Sequence, residues 1–159
     1  MSIVIVVLVI LAVLFTVAYF TKRRFGVLGL ALTAGAMLSE MWAETVTPYI
    51  EQAGLEVVAP PLETIVASVL ILLPAVLLLF SGPTYSKVIQ RIIGAAAFAL
   101  LAAAFLLVPL GGALVITGDG MRAYEFMTDN RSYIITAGIV FALIDLLMVK
   151  TPKAKDKEK

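Results

Sequence analysis

Cysteine and histidine are both absent from the 159 residues, and charged side chains make up only 14% of them. Without thiolate or imidazole there is no disulfide, no Cys or His metal or haem ligation, no thiol nucleophile and no histidine proton relay. The scarcity of charge argues against an ordinary soluble domain. With 62% hydrophobic residues and a mean hydropathy of +1.06, too little polar surface exists to clothe the apolar mass. The chain therefore reads as an all-α, polytopic membrane helix bundle, with the lipid bilayer as its first partner. Nucleic acid is not an expected partner, because positive charge is concentrated only at residues 22–24 and in the final tail.

Five apolar runs predict five transmembrane helices. Residues 3–20 are almost uninterruptedly apolar and end beside Lys22, Arg23 and Arg24. A secretory signal peptide carries its positive charge before the apolar region, so this run reads as a retained anchor. Residues 25–39 form the second run, only 15 residues before Glu40. At the usual rise that is roughly 22 Å against about 30 Å of hydrocarbon, so the run is expected to be short or re-entrant unless Met41 and Trp42 lengthen it. Residues 62–80, 92–114 and 132–149 are the remaining runs, with Pro74 and Pro109 expected to distort the third and fourth. These five make up a bundle over residues 1–149, followed by a flexible lysine-rich tail at 150–159.

The connections alternate in charge. Between Glu40 and Glu63 lie Glu44, Glu51 and Glu56 with no Lys or Arg, and an amphipathic segment around residues 43–54, broken at Pro48, is expected at the outer interface. Lys87 and Arg91 make the next connection basic, residues 117–131 are mildly acidic, and the tail is basic again. The positive-inside rule then places the N-terminus outside and the C-terminus in the cytoplasm, most simply of a bacterial cytoplasmic membrane. If residues 25–39 returned to the side they entered from, every later span would invert.

Chemistry inside the spans is sparse. Asp145 is the ionisable residue well within a span, at a depth that suggests Arg91 as its partner in an intramembrane polar pair. Glu63 falls in the first turn of the third span, where an anionic side chain suits exposed helical amides, and is read as an outer capping residue. Ala31, Gly35 and Ser39 recur every fourth residue, and Gly94 and Ala97 open a small-residue stretch; both patterns allow close helix packing. The sequence Thr117-Gly118-Asp119-Gly120 reads as a turn. No calcium-loop or nucleotide-cradle spacing occurs, and no nucleophile, base and acid recur together, so no cofactor, metal or catalytic residue is assigned.

The order of the first four hydrophobic segments, the basic turn Lys22-Arg23-Arg24-Phe25-Gly26, and Arg91-Ile92-Ile93-Gly94 before a small-residue helix are similar to the colicin V production protein family. The likeness covers about residues 1 to 116. It implies a bacterial inner-membrane protein associated with envelope processes and colicin V export, and transfers no catalytic residue.

Two functions follow as expectations. The first is a small noncatalytic membrane subunit that packs with itself or a membrane-protein partner as a scaffold. The alternative is a small channel or transporter for an ion or small solute, with Asp145 and Glu63 near opposite entrances. An enzyme acting on a lipid-linked substrate ranks below both.

Overall fold

The alanine-rich run of the fourth span becomes the centre of the molecule. In the computed structural model, which describes residues 3–55, 57, 60–111 and 119–148, the elements are α1 (Ile3–Thr21), α2 (Phe25–Gln52), α3 (Leu62–Leu79), α4 (Val88–Gly111), α5 (Asp119–Asp129) and α6 (Arg131–Leu147). Helix α4 touches each of the other five. Its Ala95, Ala99, Ala102, Ala103 and Ala104 are buried, as are Phe98, Leu101 and Phe105. Alternating small and large residues let neighbouring axes approach while the aromatic rings fill what remains. Phe25, Leu28 and Leu32 of α2, Ile71 and Ala75 of α3 and Ala142 of α6 complete the core.

Helices α2, α3 and α4 are each long and apolar enough to cross a membrane. The protein is thus an all-α, polytopic membrane helix bundle. Large apolar side chains such as Phe20, Phe80, Ile89 and Leu147 stand on its exterior, where contact with acyl chains removes the penalty that water would impose.

The second apolar run does not stop at Ser39. Helix α2 continues for 28 residues through Glu40, Glu44 and Pro48 to Gln52, about 42 Å at the helical rise. The run is therefore neither short nor re-entrant, and the amphipathic segment expected around residues 43–54 is the far end of the same helix. Hydropathy marks where lipid would be left behind, whereas the backbone ladder continues wherever φ and ψ permit. A carboxylate on an exposed helix face interrupts only the former. Pro48 removes a single N–H without ending α2, just as Pro74 lies inside α3 and Pro109 inside α4.

Helix α5 was not foreseen. Asp119 and Gly120, expected in a turn, belong to its first turn, while Thr117 and Gly118 lie outside the described residues. So do Glu56 and the tail from Lys150.

Candidate functional site: a polar clasp and an acidic pocket

The two connections at residues 22–24 and 80–87 meet at one end of the bundle. Lys22 adopts φ of +57°, turning the chain sharply between α1 and α2. Arg23 and Thr84 then form an isolated antiparallel bridge. Across it, the Arg24 N–H donates to Pro83 O at 3.1 Å and the Tyr85 N–H donates to Lys22 O at 2.9 Å. These bonds hold the start of α2 against the loop that follows α3.

Asp145 closes this end from α6. Its Oδ2 accepts the Gly26 N–H at 2.8 Å, and its Oδ1 meets Arg24 Nη2 at 3.0 Å. The partner is therefore Arg24 rather than Arg91. The carboxylate satisfies a first-turn amide of α2 and lies at the positive end of that helix, so it serves as a cap donated from a different element. The close approach requires Gly26: a Cβ there would stand 2.6 Å from Ala142 O and 2.9 Å from Leu146 N. The Arg24 guanidinium also lies 5.3 Å from the Tyr85 ring centroid.

Tyr85 holds the adjacent amide. Its hydroxyl accepts the Phe25 N–H at 3.1 Å, and its ring fills the space beside Gly94, where a Cβ would come within 2.6 Å of the ring. Burial pushes the Tyr85 hydroxyl up to about 12 from an ordinary 10.0; the Asp145 carboxylate also raises it, while the Phe25 amide and Arg24 oppose the rise. A pKa raised in the folded state means that the protonated phenol stabilises the fold fully below pH 10.0 and loses that contribution as pH climbs toward 12. Thermal melts of wild type and Tyr85→Phe across that window should show the stability advantage of the wild type narrowing. A gap independent of pH over the same window would contradict the assignment.

Arg23 and Arg91 cap helix ends. Arg23 donates through Nε to Leu79 O at 2.8 Å and through Nη1 to Gly82 O, at the C-terminus of α3. Arg91 donates through Nη2 to Tyr19 O at 3.0 Å, with its guanidinium 4.5 Å from the Tyr19 ring centroid, at the C-terminus of α1. Two helix ends rich in unpaired carbonyls thus receive the cations that complement them. The cluster was legible as a topological signal only. Its second role follows from the fact that α1 and α3 end on the same face.

At the opposite ends of α2, α3 and α4 lies a cavity of about 520 Å³. Ser39, Glu40 and Glu44 of α2, Glu63 and Thr64 of α3, and Pro109 of α4 line it. Glu63 does sit in the first turn of α3, but it is exposed, and the N-cap position is Pro61, which makes no side-chain cap. Its side chain also lines the cavity. The Thr64 hydroxyl donates to Pro109 O at 3.2 Å and ties α3 to α4 beside it. Among the described residues no three carboxylates stand close enough to hold a metal ion.

The small-residue rows occupy contact faces. Ala31, Gly35 and Ser39 are buried, Gly35 lying directly against the Ile71 and Leu70 carbonyls of α3, and Gly94 is buried with Ala97 half-buried beside it. Asp145 and Glu63 are separated by the length of the bundle and share no site. Comparison with protein-family models, with curated proteins and with solved structures found no match to this chain.

Proposed function

We propose that the protein is a small noncatalytic membrane subunit, a scaffold that packs with itself or with another membrane protein. The clasp carries this reading: Asp145, Arg24, Tyr85, Arg23 and Arg91 are all engaged with backbone or with one another, so the polar chemistry at that end holds helices together. In this reading α1, α2, α3, α4 and α6 make five crossings, and the alternation of basic and acidic connections supports a cytoplasmic clasp and an outer N-terminus. A bacterial inner membrane and an envelope role of the colicin V production type fit this arrangement. Native mass measurement after extraction in mild detergent is expected to give an oligomer or a defined hetero-complex. A strictly monomeric species with nothing bound would overturn the proposal.

The acidic cavity favours a second reading, a small solute pathway with Glu63 at its outer entrance. Solute flux in liposomes that Glu63→Gln abolishes would select it.

A further inference from the structure

We propose that the clasp end of the bundle seats the headgroup of an anionic phospholipid on Lys22, Lys87 and Arg91. The inference goes beyond the scaffold reading and holds whether or not that reading survives. Its first support is charge. Lys22, Arg23, Arg24, Lys87 and Arg91 gather at this end, and no Asp or Glu occurs in residues 1–39 or 64–118. Asp145 reaches the cluster from α6, and among the described residues its ion pair is with Arg24. Lys22 and Lys87 are exposed. Among the described residues neither they nor Arg91 has an ion-pair partner.

Backbone geometry brings these three cations together. Arg91 Nη2 donates to Tyr19 O, which sets the start of α4 beside the end of α1. Lys87 lies one turn before Arg91, its carbonyl accepting the Arg91 N–H at 3.2 Å, and Lys22 follows Tyr19 by three residues. The Lys22 carbonyl in turn holds the Tyr85 N–H, two residues before Lys87. The second support is an incomplete donor. Arg91 Nε is buried and has no hydrogen-bond partner among the described residues, so the guanidinium is anchored by one carbonyl and one ring face while its charge stays uncompensated. Arg24 Nε is likewise open, but that side chain has the Asp145 carboxylate. A partly buried cation short of acceptors costs stability, and phosphate oxygens are acceptors that a guanidinium fork and two ammonium groups can share.

Depth separates a lipid from a soluble anion. Phe20, Val88 and Ile89 are exposed apolar side chains within two residues of Lys22 or Lys87, and the exposed Ile92 and Ile93 follow Arg91 along α4. Such a collar belongs in hydrocarbon, so the three cations stand where apolar surface gives way to headgroups. A phospholipid meets both parts: its phosphate reaches the cations and its acyl chains cover the isoleucines. A zwitterionic lipid brings its own ammonium along with its phosphate. The uncompensated positive charge therefore selects a headgroup of net negative charge.

Native mass measurement of the full chain in mild detergent, titrated with phosphatidylglycerol, phosphatidylcholine or glycerol phosphate, tests the assignment. Phosphatidylglycerol is expected to be retained as a saturable adduct about tenfold more tightly than phosphatidylcholine, or about 1.4 kcal/mol. In a Lys22→Gln/Lys87→Gln double variant that preference should fall to near parity. Both lysines are exposed, so the amides leave the fold intact, which a thermal melt in lipid-free detergent verifies. A variant with Lys153, Lys155, Lys157 and Lys159 all changed to Gln controls for the basic tail and should keep the wild-type preference. Equal retention of the two lipids by the wild type, an unchanged preference in the double variant, a preference lost with the tail lysines, or glycerol phosphate bound as tightly as phosphatidylglycerol would each overturn the proposal.

Discussion

Asp145→Leu is expected to cost about 3 kcal/mol, the lower end of what breaking a buried ion pair costs when one charge is left behind. Three losses coincide. Arg24 loses its counter-charge, the Gly26 amide loses its acceptor, and the positive end of α2 loses the carboxylate that faces it. The two carboxylate oxygens have separate partners, so the substitutions should be graded. Asp145→Asn keeps one oxygen that can accept the Gly26 N–H while removing the charge, and should cost about half as much. Arg24→Leu should fall near Asp145→Asn, because the carboxylate keeps its amide. Reversible denaturation in mixed micelles measures the series. If Asp145→Leu and Asp145→Asn were equally stable, the Gly26 bond would carry no weight and the clasp would reduce to a simple ion pair. An Arg91→Leu variant separates the two arginines further: its loss should add to that of Asp145→Asn, since Arg91 acts on Tyr19 and shares no partner with Asp145.

Why Asp145 was recognisable and its partner was not is a matter of range. A carboxylate deep in an apolar run is visible in one dimension, because its cost is local to its own helix. Arg24 lies 121 residues away, and its choice over Arg91 depends on α2 and α6 touching at Gly26, a contact set by the absence of a side chain at one position. The depth argument brought Asp145 near Arg91 and had no means of fixing which face of the neighbouring helix each side chain occupies. The second helix illustrates the converse. Its apolar stretch, small-residue row and acidic end are all present in the sequence, but Glu40 was weighed as a boundary when it is only a change of solvent along one continuous helix. Glu63 was placed in the correct turn, and the cavity it faces arises only when the ends of α2, α3 and α4 come together. Ser39 shows both limits at once: its spacing from Ala31 and Gly35 marks it as a packing residue, and its place in the cavity wall depends on how α3 and α4 lie against α2.

Gly35→Leu should be as damaging as any substitution in the clasp, about 3 kcal/mol, because overpacking here meets backbone that cannot turn aside as a side chain can. A Cβ at Gly35 would collide with Ile71 O, and would stand 2.8 Å from the Ile71 carbonyl carbon and 2.9 Å from Leu70 O. The carbonyl of Leu70 is also the one that Pro74, lacking an N–H, leaves without its helical partner. A glycine Cα–H pointing into this pair of carbonyls gives them a weak donor, so the glycine and the proline act as one device on facing helices. Even Gly35→Ala should therefore destabilise, although alanine is the better helix former. The neighbouring residue supplies the control. Ala34 is exposed, and Ala34→Leu should change stability by no more than about 0.5 kcal/mol. Equal tolerance at the two positions would mean that α2 and α3 do not meet at this register.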